Sequence, residues 1–397
     1  MFFFGRKPKT HLGLDIGTSA IKLVELSKEN ERFKLENYAI FPIVEYPERL
    51  EQKIRTESLK MREQEMSSMI KLAIKEAGIK SEKVCLSVPV YSSFSTLIDL
   101  PFMPEKEIAT AIPFEAKKYV PVPISEVILD WSIIEKTKSA PLPPPLGNEI
   151  SKDSRVITRQ QEPSLDSGQK PQDPMIKPEE KAGGSEGIQV LLVAVPKEVA
   201  AKYARIIQMA GLELKALEAE TFSLTRSLVG NDKSSIVIVD TGARSTNISV
   251  VDGGYIRVTH NLEMGGAQLT KNLGQKMQID FEKAEEIKKS ELTSANSQGK
   301  EFTARETVQS FLEAVVSETK RIVNHYQLKY NRRIEKCILA GSGLAAAGLI
   351  DEFTNKLGLE VSLGNPFARI IYSPVLEPAV KELGPPLAVA VGLAMRE

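Results

Sequence analysis

HLGLDIGTSAIKLVEL, residues 11–26, places apolar side chains on alternate positions on both sides of a short Asp-x-Gly-Thr-Ser turn. Alternation with a period of two marks strands with one buried face, and the turn between them reads as a tight hairpin. Far downstream, IVIVDTGARSTNISVVDGG, residues 236–254, repeats the arrangement, with Asp240 and Gly242 in the places of Asp15 and Gly17. Two lobes of common design follow from that repeat.

The chemistry of such a turn sets what it can bind. Glycine lets backbone N–H groups approach an anion with no side chain in the way, and Ser and Thr hydroxyls add donors. Phosphate oxygens are the natural ligand. An Asp at the end of the incoming strand would repel a phosphate directly, so its role is to hold a hydrated Mg²⁺ that neutralises the charge. A single hairpin of this kind is an ordinary turn. Two matching copies able to face one another across a cleft are a site.

Two further elements join them. CILAGSGLAAAGLIDEFTNKLG, residues 337–358, reads as a buried strand, a Gly-Ser-Gly turn and an amphipathic helix starting near Leu344, a strand-to-helix seat for a phosphate or nucleoside. Close packing of helix on strand asks for glycine as well. In DFEKAEEIKKSE, residues 280–291, Glu285 and Lys288 fall on one helix face, where an intrahelical ion pair is the alternative to a ligand contact.

Composition narrows the function classes. The 397 residues are 42% hydrophobic, ample for more than one folded core, and 52 basic residues balance 52 acidic ones. Nothing in that balance favours nucleic acid or anionic lipid. No apolar run reaches the roughly 20 residues that span a bilayer, and MFFFGRKPK is too short for a signal peptide, so a cytoplasmic protein is expected. Cys85 and Cys337 lie in strand-like apolar runs and read as core thiols, while His11, His260 and His325 are scattered. Any metal should be a hard ion on oxygen ligands.

Between about 137 and 187, APLPPPLGNEISKD, SLDSGQKPQDP and KPEEKAGGSEG carry proline, glycine and charge without apolar periodicity, and read as a disordered insertion. WSIIE before it and IQVLLVAV after it read as strands able to pair across it.

The order phosphate hairpin, second hairpin, E-x-x-K helix, Gly-Ser-Gly turn and small-residue helix PLAVAVGLAMRE resembles the actin, Hsp70 and sugar-kinase superfamily. The resemblance implies an α/β, actin-like (ribonuclease H-like) two-lobed ATPase fold binding ATP and Mg²⁺. It assigns Asp15, Gly17, Thr18, Ser19 and Lys22 to the first phosphate motif and Asp240, Gly242, Ala243, Ser245 and Thr246 to the second. Gly265 and Gly266 of EMGGAQLT would open a helix beside the phosphates. Glu285 and Lys288 would touch ribose and adenine, and Gly341, Ser342 and Gly343 would form the adenosine motif. Asp15 and Asp240 are the candidate metal ligands. Arg244 departs from the commonest glycine-rich second motif and reads equally as a phosphate contact or a solvent-facing turn residue. Glu220 is the candidate for orienting a hydrolytic water, and reads equally as a helix-start carboxylate favoured by the dipole.

LIDLPFMPEKEIATAIPFEAKKYVPVPISEVILDWSII, residues 97–134, together with LGLDIGTSAIKLVEL and LAVAVGLAMR, resembles the PilM family of pilus assembly proteins, relatives of the cell-division protein FtsA. That resemblance implies an FtsA-type inserted subdomain in the first lobe. It also implies a partner: the N-terminal cytoplasmic tail of a PilN-like inner-membrane protein, seated between main and inserted subdomains and recruiting the chain to the inner-membrane face. The expected division is 10–80 for the first lobe, completed by about 371–397; 81–215 for the inserted subdomain, interrupted at 137–187; and 216–370 for the second lobe. In PEKEIATAIPFEAKKYV the four-residue spacing of Ile108, Ile112 and Ala116 predicts an amphipathic helix that Pro113 should strain or interrupt. Alternatives are a small-molecule kinase of the superfamily, for which no substrate region stands out, and an FtsA-like polymer-forming tether. The tether is disfavoured by the expectation that no membrane helix follows the terminal helix; self-association stays open.

Overall fold

The computed structural model describes residues 10–43, 63–137, 187–293, 302–343 and 349–396. The insertion expected over 137–187 lies, apart from its two end residues, outside the described residues, as do MFFFGRKPK and the expected helix start near Leu344.

Strands β1 (Thr10–Ile16), β2 (Ala20–Glu29) and β3 (Arg32–Pro42) form an antiparallel meander, followed by helix α1 (Glu63–Glu76) and β4 (Lys83–Val88). After β4 come β5 (Phe94–Pro101), α2 (Glu105–Ala116), β6 (Val127–Thr137), β7 (Gly187–Pro196), α3 (Lys197–Met209), β8 (Glu213–Ala219) and the short α4 (Glu220–Leu224). The second half opens with β9 (Ile236–Thr241), β10 (Thr246–Asp252) and β11 (Tyr255–Leu262). Helices α5 (Gly266–Met277), α6 (Phe281–Thr293) and α7 (Phe302–Tyr330) lead to β12 (Lys336–Ala340). Then follow α8 (Ile350–Leu357), β13 (Glu360–Leu363), β14 (Ile370–Ile371) and α9 (Glu377–Ala394).

These strands make three sheets, ordered β14-β3-β2-β1-β4-β8, β11-β10-β9-β12-β13 and β5-β7-β6. Without the edge strand β14 the first two have one topology: an antiparallel hairpin pair, then two strands parallel to the central one. The likeness reaches the turns. Asn30 and Glu31 (φ 48° and 62°) join β2 to β3, and Gly253 and Gly254 (φ 65° and 88°) join β10 to β11. Two consecutive left-handed residues make the hairpin turn whose twist matches that of the strands. A bulge also falls at the same offset from Asp15 and from Asp240, between Glu25 and Leu26 and between Val250 and Val251.

Burial follows the pattern read from sequence. Leu12, Leu14, Ile21 and Leu23 of the first hairpin pack with Ile70 of α1 and Ile206 and Ile207 of α3. In the second lobe Val237, Val239, Ile248 and Val250 pack against α5 and α7 through Leu269, Leu273, Phe311 and Val315. From Gly384 onward helix α9 is buried round its circumference, with Leu387, Ala388, Ala390 and Val391 all at 0% exposure, because it lies between the lobes and packs on both. Cys85 and Cys337 are buried free thiols, and burial pushes the Cys337 thiol up to about 12.

The small sheet covers α2, whose Ile108, Ile112 and Ala116 face Ile98, Val190 and Leu192 in a core of their own. Pro113 neither stops nor splits α2, which runs on to Ala116. Thr137 and Gly187 stand opposite one another on β6 and β7, so the two strands do pair across the insertion.

The expected division at 81 and 216 needs correction. β4 pairs parallel with β1, and β8 parallel with β4, so both belong to the first large sheet; the small sheet draws only on residues 94–196. Apolar alternation says that a segment is a strand, and carries no information about which sheet it joins.

Candidate functional site

The two hairpin turns close alike. Gly17 N donates to Ala20 O at 3.0 Å, and Gly242 N donates to Ser245 O at 2.9 Å. Asp15 and Asp240 lie next to the ends of an inner strand in each large sheet, and both line one cleft whose water-accessible space is about 60 Å³. The cleft gathers Asp15, Gly17, Thr18, Ser19 and Lys22 from the first turn and Asp240, Gly242, Ala243 and Ser245 from the second. Gly341, Ser342 and Glu220 line it too, as do Pro385, Pro386 and Val389 of α9.

Asp15 is 3% exposed and Asp240 9% exposed. Asp15 accepts from Ser87 Oγ at 2.8 Å and from Lys22 Nζ at 3.1 Å. Burial alone would lower the Lys22 ammonium; the carboxylates of Asp15, Asp240 and Glu220 outweigh it and hold Lys22 above its ordinary value. Asp240 lacks such a partner. Burial and the nearby Asp15 raise its carboxyl to about 6, against the pull of Lys22 and Asn247. Glu220 accepts from Val90 N at 3.3 Å and Asn247 Nδ2 at 3.5 Å, and burial, then Asp15 and Asp240, push it well above the carboxylate range. Three crowded carboxyl groups thus share one closely paired lysine, Lys22.

Asn247 escaped the sequence reading. It stands opposite Asp240 in the β9–β10 register, as Lys22 stands opposite Asp15 in β1–β2. Extending the repeat to the seventh residue after each Asp would have found it. Its Oδ1 is buried with no hydrogen-bond partner, an acceptor facing the cleft.

Not every expected residue faces the cleft. Thr246 is fully buried and its hydroxyl donates to Met264 O at 2.7 Å, because successive strand residues point to opposite faces and Ser245 takes the cleft side. Gly266 N and Ala267 N, at the start of α5, donate to Gly242 O and Ala243 O at 2.9 Å, so these donors are already used by the second turn. Gly265 is needed for contact: a Cβ there would lie 2.4 Å from Ala243 O. Gly341 has φ 82°, and Gly343 N donates to Thr241 O at 2.8 Å, which seats the Gly-Ser-Gly turn on β9.

Beside this seat, Lys288 Nζ reaches Glu285 at 2.6 Å, Thr270 Oγ1 at 3.0 Å and Gly266 O at 3.3 Å. The predicted ion pair is present. It is no solvated surface pair, since Lys288 is 6% exposed and burial lowers its ammonium despite Glu285. It adjoins the Gly-Ser-Gly turn and the second hairpin turn, for a Cβ on Gly266 would lie 3.3 Å from Lys288 Nζ, 3.4 Å from Gly343 Cα and 3.8 Å from Gly242 O.

The donor set fits a hydrated Mg²⁺. Every candidate is an oxygen, and among the described residues no group of three or more His, Cys, Asp or Glu could hold a metal by itself. Mg²⁺ keeps several waters and takes one or two carboxylates beside phosphate oxygens, which is what Asp15 and Asp240 offer.

A second cavity, a groove of about 400 Å³, lies between the small sheet and the ends of β4 and β8. Ile128, Val193, Val195 and Phe222 supply apolar walls, and Glu218, Arg226 and Arg396 a charged floor. Glu218 accepts from both Arg226 guanidinium nitrogens at 2.8 Å and pairs with Arg396 as well. Sequence reading gave no residues for this groove, because five separate segments build it.

The family model described as type IV pilus assembly protein PilM matches residues 13–143 and 175–397, nearly everything outside the insertion. The chain belongs to the PilM family. Among solved structures, the PilM–PilN type IV pilus biogenesis complex superposes with a TM-score of 0.72 at 23% identity, covering 97% of this chain and 98% of that one. At that identity the likeness is one of fold. The cell division protein FtsA of Bacillus subtilis is 21% identical over 169 residues, 38% of this chain and 38% of its own length. The chain therefore spans little more than a third of that curated relative. Two large sheets of one strand order facing a common cleft make this PilM-family fold the actin-like two-lobed α/β fold, as the sequence order implied. No described helix is long and apolar enough to cross a membrane.

Proposed function

We propose that this chain is a nucleotide-gated scaffold of type IV pilus assembly. It holds ATP with Mg²⁺ in the interlobe cleft and docks the N-terminal cytoplasmic tail of a PilN-like inner-membrane protein in the groove beside the small sheet. That tail brings it to the cytoplasmic face of the inner membrane. Asp15 and Asp240 hold the hydrated ion, and Gly17, Thr18, Ser19, Gly242, Ala243 and Ser245 present donors to the phosphates. Gly341–Gly343, Glu285 and Lys288 seat the nucleoside. Bound Mg²⁺ neutralises phosphate charge; Glu220 orients water, and any turnover is slow.

The observation that carries this reading is the wall shared by the two cavities. Glu218, Ala219 and Phe222 line the groove while Glu220, between them in the chain, lines the cleft. Val88 faces the groove and the next residue, Pro89, the cleft; Val90 N donates to Glu220. A ligand that draws Glu220 to a new partner therefore moves backbone bordering the groove, and the groove's occupant acts back on the cleft by the same amount.

Calorimetric titration with a synthetic tail peptide of the neighbouring PilN-like protein, with and without Mg²⁺-ATP, tests this. Expected are one saturable site and an affinity shift of about fivefold or more with nucleotide. Ile128→Lys, at a wall position 49% exposed, should weaken the peptide about tenfold and leave nucleotide affinity alone. Absence of saturable peptide binding overturns the docking reading.

A further inference from the structure

Arg244 is the residue that the phosphate-turn pattern leaves unexplained. Its guanidinium carbon lies 4.3 Å from the centroid of the Tyr91 ring. Arg244 belongs to the β9–β10 turn of the second lobe, whereas Tyr91 lies in the single 3₁₀ turn Val90–Ser92 that follows β4 of the first. Thr18 of the first hairpin turn lines the same cleft as Tyr91. One contact thus joins the two lobes, and both residues line the cleft.

Charge gives this contact its meaning. The cleft is lined by the carboxylates of Asp15, Glu220 and Asp240 and by two cations, Lys22 and Arg244. Lys22 is held by Asp15 at 3.1 Å. Arg244 has no carboxylate partner among the described residues, and its side chain is exposed apart from the aromatic face beneath it. A guanidinium over an aromatic ring is fixed in position while its in-plane N–H donors remain free for an oxyanion. Fixing it beforehand removes much of the side-chain entropy a flexible cation would lose on binding. A polyanion entering a cleft lined with acidic groups needs such a cation, and its need grows with each phosphate.

Resting on the reading of the cleft as an ATP site, we propose that Arg244 binds the nucleotide's terminal phosphate while Tyr91 holds it in place from the opposite lobe. The pair discriminates triphosphate from diphosphate and clasps the mouth of the cleft. The backbone of the turn is common to its repeat; this side chain is what the second copy adds.

The test is equilibrium binding of ATP and ADP, each with Mg²⁺, to the full chain and its variants. The wild type should prefer ATP, and Arg244→Ala should lower ATP affinity about tenfold or more while ADP changes little, erasing the preference. Arg244→Lys keeps the charge and loses the planar fork, so part of the preference should survive. Tyr91→Ala should weaken ATP about threefold or more and speed its release, whereas Tyr91→Phe, which keeps the ring, should match the wild type. Both positions are exposed, so these variants should fold, which circular dichroism checks. An unchanged ATP-to-ADP ratio in Arg244→Ala, or equal losses for both nucleotides, overturns the inference and leaves the cleft reading standing. If the wild type binds neither nucleotide, the cleft reading itself falls and this inference with it.

Discussion

Asp240→Asn should lose Mg²⁺-dependent nucleotide binding and, at the same time, melt higher than the wild type when no ligand is present. The first effect follows from removing one of two carboxylates that can hold the ion between the hairpins. The second follows from what that carboxylate costs. Its carboxyl moves from an ordinary 3.8 to about 6, chiefly by burial and then by Asp15, which corresponds to about 3 kcal/mol against the charged form in the folded state. The folded state binds this proton more tightly than the unfolded state, so the contribution of Asp240 falls as pH rises from about 4 through about 6, and its deficit is complete above that window. Asn has no such deficit. The gain of Asp240→Asn over wild type should therefore be absent near pH 4, grow through pH 6 and level off at neutral pH, as thermal melts across that range will report.

Asp15→Asn makes the contrast. It too should lose nucleotide, yet it removes the partner of a buried lysine, and leaving that ammonium unpaired should cost about 1–3 kcal/mol. Two substitutions with one effect on binding and opposite effects on stability separate a site carboxylate that the fold tolerates from one that the fold uses. Equal stability changes in the two variants would show that the cleft charges are not arranged as described.

Legibility from sequence divides along a physical line. Both hairpins, the Gly-Ser-Gly turn and the Glu285–Lys288 pair were readable because each is local: dihedral demand, alternation and helix spacing act within a dozen residues. Their convergence was readable only because the motif occurs twice. Thr246 was misplaced by one strand position, since hydroxyl chemistry alone does not say which face a residue takes, while the register Ser245-cleft, Thr246-core does. The glycines of EMGGAQLT were recognised, although Gly266 N turns out to serve Gly242 O and the next residue, Ala267, gives its N–H to Ala243 O. Tyr91 carried no signal at all, because an aromatic after a strand is ordinary until Arg244 is found above it. The groove and the sheet membership of β4 and β8 depend on pairing between distant segments, which no period in a single chain encodes.

Gly13→Ala should be the most destabilising single methyl addition in the lobe joint. A Cβ at Gly13 would stand 2.0 Å from Ala390 O, 2.6 Å from Ala394 N and 3.0 Å from Leu393 Cβ, all on α9. Relief would require the helix to retreat from β1, and it has nowhere to go. On the far side a Cβ at Gly392 would meet Ser223 O at 2.0 Å, so α4 already touches the helix backbone, and Pro385 O holds Gly341 N at 3.1 Å. Backbone clamped by backbone cannot give as a flexible side chain would, which places the cost at or above the upper end of the roughly 1–3 kcal/mol usual for overpacking. Because α9 also carries Pro385, Pro386 and Val389 into the cleft, nucleotide affinity should fall with stability, although no ligand contact has been altered. Gly78→Ala is the control: nothing lies within 4 Å of its Cβ, so only the strain of φ 64° remains, costing about 1 kcal/mol and sparing the cleft. Urea unfolding of both variants, with nucleotide titration where each is folded, decides the matter. A Gly13→Ala protein as stable as Gly78→Ala would mean that α9 slides freely between the lobes, and a helix that slides cannot fix the distance between Asp15 and Asp240.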